Sequence, residues 1–150
     1  MPLNRIVAIR GDFDARFPES QTWSAGGDRV PGRDLAELVL EGLRRRGLEA
    51  EGPIDEEPFV AVRCRVGERQ FVILCYIYEP RGKDSVWVVE CPTTLGLLAR
   101  LRGGSEEPEL RTVLGAVQES LLHDARVREM RWFSRLPASP FSADIFSVVP

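Results

Sequence analysis

Apolar residues recur at two different spacings along this chain, and the change between them divides it into elements. From Asp34 to Gly47, Leu35, Leu38, Val39 and Leu43 repeat at helical spacing. Asp34 followed by Glu37 has the spacing of a capping box and Gly47 offers a left-handed stop, so the pattern predicts an amphipathic helix. Arg44, Arg45 and Arg46 fill its last turn, where cations complement the helix dipole by a few tenths to ~1 kcal/mol. Downstream the period falls to two. Val60, Val62, Cys64 and Val66 alternate with Ala61, Arg63 and Arg65. Gly67-Glu68 suits a type II′ hairpin turn, and Gln70 to Tyr78 follows as a strand nearly apolar on both faces, expected centrally in a sheet. Pro80, Gly82 and Asp84 make the next loop. Val86 to Cys91 then supplies a third strand, stopped by Pro92, to complete an antiparallel meander.

The flanks extend this block. Ile6, Val7 and Ile9 mark a first strand over Leu3 to Arg10, ended by Gly11, Asp12 and Asp14. Phe13 to Pro31 reads as a long loop with hydrophobic anchors Phe13, Phe17 and Trp23, a length often tied to function. Glu49 to Pro58 reads as an acidic link. Thr93 or Thr94 suits the cap of a short helix running to Arg102. Ser105 suits the N-cap of a longer helix with the stripe Leu110, Val113, Leu114, Val117 and Leu121. Val127 to Phe133 alternates again, with Met130 and Trp132 on one side and Glu129 and Arg131 on the other. Asp144 to Val149 reads either as a short edge strand or as a segment packed over the sheet. The order β-α-β-β-β-α-α-β, with that last edge strand left open, predicts an α+β two-layer sandwich. Its sheet is mainly antiparallel, its helices cover one face, and residues 1–150 form a single domain.

Composition adds limits rather than a function. The chain has 150 residues, 43% of them hydrophobic and 29% charged. At this length roughly two thirds of the unfolded chain's surface is buried on folding, enough for a core without staples. A net charge of -3 offers no global attraction for nucleic acid or an anionic membrane, so neither is expected as a partner. Lys83 is the only lysine beside many arginines, a bias that a GC-rich genome also produces. No apolar run approaches the ~20 residues of a spanning helix, and the N-terminus lacks a cleavable leader pattern. A cytoplasmic location is therefore the default expectation. Cys64, Cys75 and Cys91 read as buried thiols; the first two could face each other across the hairpin, but a reducing compartment is the simpler reading.

Catalytic patterns are missing. The only histidine, His123, falls off the apolar stripe of its helix and reads as exposed, and no serine sits in a GxSxG elbow. No GxGxxG or GxxxxGK[ST] occurs, and Gly26-Gly27 lacks the strand and helix that a phosphate loop needs. Asp12, Asp14, Glu19 and Asp28 are the remaining candidates for a hard cation or an acid/base pair, but the spacing stops short of a calcium loop and a solvated loop explains them. No cofactor, metal site or enzymatic activity is expected. The aromatics invite a different reading. Trp23, Tyr76, Tyr78, Trp87 and Trp132 are interface-type anchors, and Tyr76 and Tyr78 with either Trp87 or Trp132 could share the sheet face that the helices leave open. Arg63, Arg65 and Arg131 would border it, and Asp55, Glu56 and Glu57 would add an acidic contact loop.

The stretch GRDLAELVLEGLRRRGLEAEGPIDEEPFVAVRCRVGERQFVILCYIYE, with VWVVECP and VREMRWF, is similar to small uncharacterised bacterial α+β proteins that resemble immunity and antitoxin-like accessory proteins. That resemblance implies a bacterial protein-binding role and transfers no catalytic residue. The element order also resembles class I type III secretion chaperones, which implies a homodimer binding an effector segment; the proline-rich end and the extra N-terminal strand depart from that family. The leading expectation is a non-enzymatic, immunity-like module for a protein partner. A chaperone-like homodimer, and a metal-dependent enzyme or small-molecule binder built on Asp12, Asp14 and Asp28, are the alternatives.

Overall fold

The computed structural model describes residues 3–14, 30–92, 107–142 and 147–150. Its elements are β1 (Ile6–Gly11), α1 (Arg33–Arg45), β2 (Glu49–Glu56), β3 (Phe59–Val66), β4 (Arg69–Glu79), a short 3-10 turn (Gly82–Asp84), β5 (Val86–Glu90), α2 (Glu107–Leu122) and β6 (Val127–Phe133). The strands form one six-stranded sheet in the order β2-β3-β4-β5-β1-β6, antiparallel at every pairing. With α1 and α2 packed on one side of it, the chain is the α+β two-layer sandwich that its periodicities predict. The expected short helix after Thr93, the Ser105 cap and the anchors Phe17 and Trp23 lie outside the described residues.

Each helix buries the stripe its spacing marks. Leu35, Val39 and Leu43 of α1 are fully buried, as are Leu110, Val113, Leu114, Val117 and Leu121 of α2 to within 2%. The helices meet closely at Gly42: a Cβ there would lie 1.5 Å from Ser120 Oγ. Arg46 ties them further, with Nε 2.7 Å from Glu119 Oε2. At the end of α1, Gly47 has φ +79, its N–H reaches Arg44 O, and the Leu48 N–H reaches Leu43 O, a Schellman arrangement that satisfies two orphan carbonyls. The start of α1 differs from the expectation. Gly32 is the N-cap, with φ +100, and no capping box forms. Asp34 sits inside the first turn, where one carboxylate oxygen accepts from the Leu35 N–H and the other from the Asp14 N–H at 2.8 Å, tying the exit of β1 to the helix.

The acidic link is the larger correction: Glu49 to Glu56 is a strand. Its glutamates pair across the ladder with arginines, Glu49 with Arg65 and Glu51 with Arg63, which gives charged side chains a cross-strand reason to be extended. Register shifts between Glu51 and Ile54, where Gly52 takes φ +132 beside Pro53. A bulge, a proline and carboxylates are how exposed sheet edges resist further pairing, and β2 is such an edge. The hairpin from β3 to β4 follows the prediction: Gly67 has φ +61, and no described non-glycine residue has a positive φ, which fits type II′ and not type I′. Cys64 and Cys75 do not face each other, because Cys64 pairs with Phe71 and Cys75 with Val60. All three cysteines are buried, and burial pushes the Cys64 thiol up to about 11 and the Cys75 thiol up further.

At the other edge, the Trp132 N–H of β6 donates to Ser147 O at 2.5 Å and Asn4 Nδ2 to Val149 O at 3.3 Å. Residues 147–150 thus lie beside β6 without being a strand; residues 143–146 are outside the described set. His123 is exposed at the end of α2. No helix among the described residues is long and apolar enough to cross a membrane.

Candidate functional site

Strand alternation sends every second side chain to the face opposite α1 and α2. The registers set those side chains in rows that run across the strands. One row takes a residue from each strand in turn: Ile54, Ala61, Leu74, Glu90, Ile6 and Phe133, every neighbour a ladder partner. The next row carries Phe59, Tyr76, Val88 and Ala8 between Glu56 on β2 and Arg131 on β6, with the Phe59 and Tyr76 rings edge to face at 5.1 Å. Together they make an apolar band across the sheet. Ala8, Ala61 and Val88 form its fully buried floor, and Ile6, Leu74, Tyr76 and Phe59 stand half-buried above it.

Glu90 is the one charge within that row, between Leu74 on one side and Ile6 on the other. Burial pushes its carboxyl above the ordinary carboxylate range, and the Tyr76 hydroxyl, donating a hydrogen bond to it, opposes part of that rise. Tyr76 itself is pushed up, first by burial and then by the charge of Glu90. A carboxylate half-buried among aliphatic side chains, with the Tyr76 hydroxyl as its hydrogen-bonding support among the described residues, is a costly group to maintain.

Charges border the band on one side. Arg63 lies 4.0 Å from Glu51 and 3.7 Å from Glu56, and Arg65 Nε donates to Gly67 O. Here β2, β3 and β4 line a hollow of about 420 Å³ with Glu49, Glu51, Arg63, Arg65 and Gln70. On the other side the chain covers its own sheet. Tyr78 Oη donates to Pro137 O at 3.2 Å, Arg131 donates to Ser142 O at 2.6 Å, and the Phe141 ring lies 4.6 Å from the Arg10 guanidinium and 5.2 Å from that of Arg131.

The predicted site residues therefore separate. Tyr76, Arg63, Arg65 and Glu56 come together on or beside the band. Tyr78, 37% exposed, and Arg131, 15% exposed, hold residues 137–142. The tryptophans correct the expectation: Trp87 and Trp132 are 0% and 1% exposed, on the helix-covered side. Parity is the reason, since Trp87 pairs with Ile9 and Trp132 with Val7, both core-facing residues of β1. Nor are the three acids one loop. Asp55 pairs with Val60 on the helix side and meets Arg33 at 3.0 Å, Glu56 faces the band, and Glu57 lies in the turn. Trp23 and Asp28 fall outside the described residues. Asp12 and Asp14 are exposed, and no group of three or more His, Cys, Asp or Glu among the described residues is placed to hold a metal ion. Sequence reading passed over Glu90. Its signal was the charge closing VWVVE, but only the register shows apolar neighbours on both sides. No family model, curated protein or solved structure matches this chain.

Proposed function

We propose that this chain is a non-enzymatic protein-binding module of the immunity-protein kind, and that a protein partner seats on the band from Ile54 to Phe133. The observation that carries the reading is the band itself. It is a strip of aliphatic and aromatic side chains on a sheet face that neither α1 nor α2 covers, with Arg63 and Glu51 along one border and Glu56 at its β2 end. An apolar centre with a charged rim is the anatomy of a recognition patch, in which buried aromatics supply affinity and rim charges supply orientation and on-rate. Phe59 and Tyr76 are the anchors. The cysteine thiols favour a binding role over nucleophilic chemistry, being buried, with Cys64 and Cys75 held in their neutral form.

The test is affinity capture from the native cell with the full chain and with Leu74→Asp, which sets a second carboxylate beside Glu90. The expected result is one protein recovered at stoichiometric yield by the parent chain and lost with the variant, both being folded by circular dichroism. Recovery of no stoichiometric protein under several growth conditions sinks the reading.

A further inference from the structure

Resting on the protein-binding reading, we propose that the occupant of the band is an amphipathic helix whose apolar stripe carries one lysine or arginine, and that this cation pairs with Glu90.

The shape of the band points to a helix. The row from Ile54 to Phe133 crosses six strands and so five inter-strand gaps, which at roughly 4.8 Å each is about 24 Å. A helix rises 1.5 Å per residue, so about 16 residues span that length, and the two rows are about as wide as one helical stripe. Along the strands the band is too short to seat a long extended peptide.

Charge complementarity gives the cation. Glu90 stands in the row with Leu74 and Ile6 as its ladder neighbours, and Tyr76 as its hydrogen-bonding support. A purely apolar helix laid over the band would seal this carboxylate further from water without adding a charge to balance it, and such burial is unfavourable unless a cation joins it. A lysine or arginine in the stripe supplies that charge and lets its methylene stem pack on Leu74 and Ile6. The position follows from the register. Glu90 on β5 is three strand gaps from Ile54 on β2, about 14 Å, so the cation falls roughly nine residues from the end of the helix that lies over β2. A second copy of this chain is a poorer occupant. Stacked face to face about the middle of the sheet, between β4 and β5, it sets one Glu90 near the other, and two carboxylates repel unless they share a proton.

A displayed library of random peptides about 16 residues long, selected on the full chain and counter-selected on Leu74→Asp, tests this. The expected binders carry a lysine or arginine amid apolar residues at helical spacing. Replacing that cation by methionine should weaken binding at least tenfold, as should the near-isosteric Glu90→Gln in the chain, and the two losses should not add, because both remove the same pair. Band-dependent binders without a cation, or affinity within twofold on Glu90→Gln, overturn the cation and leave the protein-binding reading standing. A dimer in light scattering that Leu74→Asp dissociates overturns the helix in favour of a second copy. If no selected peptide depends on Leu74, the helix falls, and the affinity capture alone decides whether a protein partner seats on the band.

Discussion

The two faces of the sheet are built from the same strands and differ only in residue parity, yet one is for the most part buried against α1 and α2 and the other mixes buried positions such as Val88 and Phe133 with half-buried ones. On the helix side Val7, Ile9, Val62, Ile73 and Trp87 are fully buried against Leu35, Val39 and Leu43. On the other side the ladder partners of the same strands include Leu74, Tyr76 and Ile6, left half-buried, with Glu90 among them. A fold that needed only stability would place an aliphatic residue at 90. The contrast separates positions that hold the chain together from positions that are available for recognition.

Equal truncations on the two faces give the largest contrast. Leu43→Ala removes a fully buried side chain from the interface of α1 with the sheet, and should cost about 2–5 kcal/mol through lost transfer energy and the cavity left behind. Leu74→Ala, half-buried already, should cost about 1 kcal/mol. Urea denaturation of both, with similar m-values, checks the difference. Equal losses would mean that the second face is also core.

A smaller effect sharpens the same division by adding volume to the helix side. Gly42→Ala forces a methyl group into Ser120, whose Oγ would be 1.5 Å and Cβ 2.7 Å away, and should destabilise by about 1–3 kcal/mol. Ser120→Ala removes the nearer clash only. In the double variant the measured loss should therefore fall short of the sum of the single losses, visible as a non-zero coupling energy in a double-mutant cycle.

The difference between the faces was partly legible in the sequence. Helical and strand periods marked α1, α2, β3, β4, β5 and β6, because each buries one consistent side and the pattern records it. β2 was not, since its sequence EAEGPIDE reads as a solvated link. What makes it a strand is pairing with Arg63 and Arg65, a tertiary fact with no local trace. The same limit governed the site. Alternation shows that Trp87 and Tyr76 each lie on some face of a strand, but which face is core depends on how β1 inserts between β5 and β6. Tyr76, Arg63 and Arg65 were legible as exposed-face candidates. Glu90 was not, because its neighbours Leu74 and Ile6 are distant in the chain and become adjacent only through the ladder.

Glu90 supplies the smallest effect, and its sign bears most directly on the comparison. Its folded-state pKa is raised by burial, so the folded chain binds this proton more tightly than the unfolded chain does. Stability is therefore lost as pH rises from the unfolded carboxylate value of about 4.3 through the raised folded value, and the penalty is constant above that. Glu90→Gln removes the titration while keeping an acceptor for the Tyr76 hydroxyl. The variant should be more stable than the parent chain at pH 8, and the gain should vanish near pH 3.5, where Glu90 is neutral in both states. Paired urea titrations at the two pH values measure it. A variant that gains stability and loses its partner shows a carboxylate kept at a cost to the fold, as recognition residues often are. One that loses stability at pH 8 instead would place Glu90 among the residues that hold the sheet together, and the second face would have to be reread as structure.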